Sequence, residues 1–141
     1  SCTVPPGGKP AFDLDDSEIE LGVGIHGEPG RRRVTMSSAD EITDQLLDPI
    51  VADLELTKSD RVIALVNGMG GTPQSELYIV FRRVAQRLSD RGITLERSDV
   101  GNFVTSLEMQ GVSVTLLRVD DELLSLYDDP AETPAFVKKS K

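Results

Sequence analysis

The sequence predicts an α/β or α+β domain, a mixed β-sheet with helices packed on it. Three observations carry this. Period-two and period-3.6 apolar segments follow one another in the rough order β-α-β-α-β-β-α. The length of 141 residues is that of one domain. The chain is 38% hydrophobic with only 4% aromatic residues, so its core is built from Leu, Val and Ile.

Residues 1–18, rich in Pro, Gly and Asp, read as an irregular lead-in. Leu21, Val23 and Ile25 alternate with Gly22 and Gly24, which predicts a strand with one bare face. Glu28-Pro29-Gly30 is a turn signal, and Arg31, Arg32 and Arg33 form a short run whose default reading is a solvated face. Ser38 and Glu41 have capping-box spacing. After them Ile42, Leu46, Ile50 and Leu54, joined by Leu47 and Val51, mark the apolar stripe of a helix. Pro49 falls inside it and predicts a kink or a second helix starting near Asp48.

Arg61 to Val66 reads as a strand, ending at Asn67-Gly68-Met69-Gly70-Gly71. Thr72 is the expected N-cap, with Pro73 the first residue, of a helix marked by Leu77, Phe81, Val84 and Leu88 and closed by Gly92. Further strands are expected from Ile93, over Val100–Leu107 and over Val112–Val119. Asp120 or Asp121 caps a last short helix that Asp129-Pro130 ends. Residues 130–141 form a tail, frayed from Lys138 onward. The chain is thus read as a single domain over 1–141. Its opening Ser1-Cys2-Thr3-Val4-Pro5-Pro6 reads like the interior of a polypeptide, so a fragment of a longer two-domain chain is expected.

Charge and composition narrow the function. A net charge of −9 repels nucleic acid and anionic membrane surfaces. No apolar run approaches the ~18 residues of a membrane span. A lone cysteine, Cys2, makes no internal disulfide and points to a reducing, cytoplasmic setting. One His and one Cys are too few for a zinc site or a catalytic triad.

Two motifs remain. Gly22-x-Gly24-x-x-Gly27 matches the dinucleotide fingerprint, but Glu28-Pro29-Gly30 follows where a helix start is required, so the match is rejected. The turn Gly68, Gly70, Gly71, Thr72 has a strand before it and a helix after it. Its free amides are a candidate anion site, although no Lys-[Ser/Thr] pair ends it. The competing reading is a tight turn that needs glycine at positive φ. His26, the only histidine, stands among four glycines, where a small ligand can approach the ring. An imidazole serves as a neutral nucleophile or base near pH 7, and Glu28 two residues on is placed to fix its tautomer. A hydrogen-bonded loop histidine is the alternative.

Five blocks carry a family resemblance: Ser1–Pro5; Leu21–Gly30, with Gly-Ile-His-Gly-Glu-Pro-Gly; Leu65–Gly68 with Thr72-Pro73 and Ser75–Tyr78; Val100–Asn102 with Thr105–Met109; and Thr115–Glu122. In this order they resemble the C-terminal part of the dihydroxyacetone-binding subunit of dihydroxyacetone (glycerone) kinase, an enzyme of glycerol metabolism. The resemblance implies that His26 adds to the substrate ketone as a hemiaminal, with Gly27 and Glu28 beside the substrate. The held dihydroxyacetone is then phosphorylated to dihydroxyacetone phosphate. It implies no cofactor on this chain, with ATP-Mg or ADP-Mg on a separate nucleotide-binding subunit or domain, and no metal. The family's N-terminal half, with a second histidine and an aspartate, has no counterpart here. The chain alone is therefore expected to be inactive, with the missing half and a second copy, as a homodimer, among its partners. The alternatives are a dihydroxyacetone-sensing co-activator and a structural or dimerisation module.

Overall fold

The computed structural model describes residues 13–24 and 28–139. Its centre is a three-stranded sheet in the order β4-β3-β5, where β3 is Arg61–Gly68, β4 is Thr94–Gly101 and β5 is Val112–Arg118. β3 and β4 are parallel and joined by helix α2 (Gln74–Asp90), whereas β5 pairs antiparallel with β3. The expected mixed sheet with helices on it is therefore present. Before it lie the antiparallel pair β1 (Glu18–Leu21) and β2 (Arg32–Thr35) and helix α1 (Ala39–Asp53). After it come α3 (Asp121–Asp128) and the two-residue strands β6 (Ala131–Glu132) and β7 (Val137–Lys138).

One face of the sheet makes the core. Val62, Ala64 and Val66 of β3 and Leu116 of β5 pack with Leu47 and Val51 of α1 and with Leu77, Val80, Val84 and Leu88 of α2. Each fully buried Leu or Val contributes roughly 1.5–3 kcal/mol of transfer free energy. The buried line of α1 is Thr43, Leu47 and Val51. The expected row Ile42, Leu46, Ile50 and Leu54 is only half-buried beside it. Thr43 turns its hydroxyl back to Ala39 O at 2.6 Å, which removes the cost of burying it.

Ser38 and Glu41 form the expected capping box. Pro49 does not split the helix: α1 is a single element with Pro49 inside it. Its exposed side can tolerate the proline, and an ion-pair ladder to α2 supports the same stretch. Arg82 pairs with Asp40, Arg83 with Asp44, and Arg87 and Arg91 with Asp48. Partners advance together along both helices, so α1 and α2 run side by side in one direction.

Several expected boundaries move. β1 stops at Leu21, and Gly22 at φ +78° turns the chain away before Val23; Ile25 lies outside the described residues. The arginine run is β2: Arg33 pairs with Glu20 at 2.8 Å and Arg32 donates to Gln45 of α1 at 3.0 Å. The expected strand over Val100–Leu107 ends at Gly101, and residues 102–111 are a loop. Lys138, expected to fray, lies in β7, donates to Tyr127 O, and sits 3.4 Å from the centroid of the Tyr127 ring.

Candidate functional site

The glycine-rich segment lies in the loop between β1 and β2. Arg31 N donates to Leu21 O at 2.7 Å and closes the base of this loop. Further in, Gly24 N donates to Glu28 O at 3.1 Å, so the two described residues flanking 25–27 are held together. Two glycines are needed for close approach. A Cβ on Gly22 would lie 2.8 Å from Arg31 Cγ, and one on Gly30 would lie 2.5 Å from Glu20 Cγ. His26 and Gly27, two of the expected site residues, lie outside the described residues. Glu28 is described and exposed. β2 follows the Gly22-x-Gly24-x-x-Gly27 sequence, and the next helix begins only at Ala39, so the geometry of a dinucleotide loop is not built here.

The second candidate, the turn after β3, sits at the C-terminal ends of the two parallel strands, where ligands of α/β folds gather. Three of its amides are spent inside the fold. Gly70 N donates to Asn102 Oδ1 at 3.1 Å, Gly71 N to Met109 O at 2.9 Å and Met69 N to Gly111 O at 3.3 Å. Gly70 has φ +96°, and a Cβ there would lie 2.7 Å from Ser106 O; one on Gly71 would lie 2.6 Å from Glu108 O. On Gly68 it would meet Leu77 Cδ1 at 2.9 Å. Thr72 is not the N-cap of α2, a place taken by Pro73 without a side-chain bond. The Thr72 hydroxyl instead donates to Gly111 O and accepts from Gly111 N, both at 2.9 Å.

These contacts fasten the loop 102–111 onto the strand ends, and Asn67 does most of it. Asn67 is 3% exposed. Its Oδ1 accepts the amides of Phe103 and Val104 at 2.8 and 2.9 Å, and its Nδ2 donates to Val104 O at 2.7 Å. Ser106 Oγ adds a bond to Met69 O at 2.8 Å. The loop so fixed exposes Val104 and Leu107. Asn67 was not singled out from the sequence, although a polar residue ending an apolar strand next to glycine is the signal that marks it.

On the sheet face away from α1 and α2, a shallow cleft of about 300 Å³ is lined by Leu65, Asp99, Phe103, Ala135 and Phe136. Tyr127 of α3 donates its hydroxyl to Asp99, and Arg97 grips Asp128 with two bonds of 2.9 and 2.6 Å. Burial first, and then the Asp99 carboxylate, push the Tyr127 phenol well above its ordinary range. Among the described residues no helix is long and apolar enough to cross a membrane.

The model of the Dak1 domain family matches residues 1–135, and the chain belongs to that family. It is 45% identical to the dihydroxyacetone-binding subunit DhaK of the PEP-dependent dihydroxyacetone kinase of Escherichia coli (strain K12), over 96% of this chain and 45% of that protein. It is 42% identical to the L-erythrulose 1-kinase of Mycolicibacterium smegmatis, over 96% of this chain and 24% of that protein. Among solved structures, the dihydroxyacetone kinase operon co-activator Dha-DhaQ superposes with a TM-score of 0.87 at 32% identity, covering 94% of this chain and 42% of that one. The chain thus spans less than half the length of each of these relatives.

Proposed function

We propose that this domain is part of a dihydroxyacetone kinase and holds the substrate as a covalent adduct on His26. The observation that carries this is the family match over residues 1–135, which includes the Gly-Ile-His-Gly-Glu-Pro-Gly block. In the proposed step, a ring nitrogen of neutral His26 attacks the ketone carbon. A C–N bond forms and the carbonyl π bond opens. The new alkoxide takes the proton released by the ring's other nitrogen, and nothing leaves. A terminal hydroxyl of the held substrate is then phosphorylated. Fixing the substrate in this way is worth several powers of ten in rate through orientation alone.

The chemistry defines a substrate class. A carbonyl flanked by a hydroxymethyl group suffices, so short hydroxymethyl ketones fit and glycerol does not. Relatives named for dihydroxyacetone and for L-erythrulose support that range. Glu28 is proposed to set the ring tautomer, with Gly27 leaving room for the substrate. The nucleotide, as ATP-Mg or ADP-Mg, is assigned to a separate subunit or domain. The assembly is a cytoplasmic homodimer that also needs the family's other half, and the 141-residue chain alone does not turn over. The turn Gly68, Gly70, Gly71, Thr72 is proposed to brace the loop 102–111, since the amides of Gly70 and Gly71 are already used.

The test uses the single histidine. On adding dihydroxyacetone, native mass spectrometry is expected to show the added mass of one substrate, and the one set of imidazole NMR signals is expected to shift. His26→Gln abolishes both, glycerol produces neither, and the adduct fades as pH falls through the imidazole range near about 6.5. An unmodified His26 at millimolar ketone would sink the covalent reading. A second reading, a sensor that binds the ketone without phosphorylating it, is favoured by the likeness to the co-activator at a TM-score of 0.87. Adduct formation together with no kinase activity in the full assembly selects it.

A further inference from the structure

The two arms of the β1–β2 hairpin are interlocked by their own charged side chains. Glu20 of β1 reaches across to the second arm, where its Cγ and Oε1 both lie 2.5 Å from the place a Gly30 Cβ would take. Arg31 of the second arm reaches back over Gly22, with its Cγ 2.8 Å from the corresponding place. Further in, the Glu28 side chain lies over Gly24 in the same way, its Cδ at 2.7 Å. Each of these glycines is a socket for a side chain, and the sockets run up to the two residues that flank 25–27. Contacts of this kind fix the spacing of two arms that a two-stranded pair alone holds only weakly.

Glu20 is firmly anchored. It stands directly opposite Arg33 in the register of β1 and β2 and accepts from Arg33 Nε at 2.8 Å. Its side chain is only 14% exposed, against 51% for Arg33. Stability does not account for a carboxylate in such a place. Withdrawing it from water offsets much of what its partner returns, and an apolar side chain would hold the hairpin as well. What the charged pair adds is direction: the bond to Arg33 fixes the Glu20 side chain and lays it on Gly30.

We infer that Glu20 is a positioning residue: braced by Arg33 and seated on Gly30, it sets the neck of the loop and so aims His26 at the ketone. The inference rests on the covalent His26 reading and adds what orients the imidazole. Addition to a carbonyl needs the nitrogen on a narrow line of approach, and a misplacement of about 1 Å costs about 100-fold in rate. In this role Glu20 touches no reacting atom and acts through the backbone that joins Gly30 to the loop.

The test follows the rate of adduct formation on His26 in the full assembly, by native mass spectrometry after mixing with dihydroxyacetone. Glu20→Ala is expected to slow it about tenfold or more. Glu20→Gln fills the same seat and still accepts from Arg33, so it restores most of the rate. Gly30→Ala slows the reaction as Glu20→Ala does, because its Cβ evicts the carboxylate. In the double variant the seat is already empty, and the second change costs nothing more. Circular dichroism and melting select folded samples, on which a merely structural role leaves the rate unchanged. Variant rates equal to the parent's, or losses at Glu20 and Gly30 that multiply, overturn the positioning role while the His26 adduct stands. A parent that forms no adduct overturns both.

Discussion

Asn67 and Val104 are bonded reciprocally: Asn67 Nδ2 donates to Val104 O at 2.7 Å, and Val104 N donates to Asn67 Oδ1 at 2.9 Å. A buried side-chain amide here imitates a strand partner for a loop that has left the sheet. Asn67→Ala removes the partner of the Phe103 and Val104 amides and of the Val104 carbonyl together, at about 0.5–1.5 kcal/mol for each bond lost, since both loop residues are exposed to water. We expect a loss of about 2–4 kcal/mol in urea denaturation. Asn67→Asp keeps the acceptor but sets a carboxylate against Val104 O, so it is expected to destabilise as well. Hydrogen exchange at Phe103 and Val104 is the local readout. Unchanged protection there in Asn67→Ala would refute the bracing role.

Gly70 meets two constraints at once. Its φ is +96°, and the atom a Cβ would strike is the backbone oxygen Ser106 O, which cannot swing aside like a side chain. Gly70→Ala is expected to cost about 2 kcal/mol or more, through strain and displacement of the loop. At Gly92, φ +70°, the nearest atom is Cγ of the flexible Lys58 side chain, so Gly92→Ala should cost less. Thermal melts of the two variants side by side test the ordering.

The ends of α1 and α2 carry the same closing motif with different residues. In α2, Ile93 N reaches Leu88 O at 3.0 Å and Gly92 N reaches Ser89 O at 2.9 Å. In α1, Leu56 N reaches Val51 O at 3.0 Å and Glu55 N reaches Ala52 O at 3.1 Å. The left-handed position is Gly92 in one helix and Glu55, at φ +49°, in the other. A non-glycine residue there carries about 1 kcal/mol of strain. Glu55→Gly is therefore expected to stabilise the chain by about 0.5–1 kcal/mol, the gain being trimmed by the greater freedom of glycine in the unfolded chain. Chemical denaturation with an unchanged m-value is the measurement.

What the sequence disclosed was mostly local. The Ser38–Glu41 box, the glycine at 92 and the apolar spacing of α2 each fix structure within a few residues, and each is where it was expected. What it concealed depends on distant partners. The arginines are exposed as the solvated-face reading expects, but that Arg32 and Arg33 also form a strand is hidden, because Glu20 and Gln45, which receive Arg33 and Arg32, are 13 residues away on either side. The strand expected from Ile93 is there, but its run as β4 through Glu96, Arg97 and Asp99 hides among charges because Glu96 meets Arg61, and Arg97 meets Asp128 from α3. The loop 102–111 is apolar enough to pass for a strand, and only the polar side chains of Asn67 and Thr72 decide otherwise. At the candidate site, the glycine block marked the loop, but its reading as a strand missed the turn at Gly22. At the second turn, the acceptors that Asn102 and Met109 bring to the Gly70 and Gly71 amides come from more than 30 residues away and leave no local signal.

Tyr127 connects α3 to the sheet through Asp99, and its ionisation reports on that connection. Burial and the Asp99 carboxylate both favour the neutral phenol, so its folded pKa is raised. For an acid raised on folding, the stabilisation is complete below the unfolded value, about 10 for tyrosine, and is lost as pH climbs above it. Stability is therefore expected to decline above about pH 10 more steeply in the parent chain than in Tyr127→Phe, which has no proton to lose. The variant gives up the bond to Asp99 and should be less stable at pH 7, so the two curves converge as pH rises. The chain has two tyrosines and no tryptophan, so only Tyr78 shares the phenolate absorbance, and the difference from Tyr127→Phe isolates Tyr127. In a spectroscopic titration, the Tyr127 phenolate should appear together with loss of the circular dichroism signal. If it appears while the fold is intact, the bond to Asp99 does not hold α3 in place.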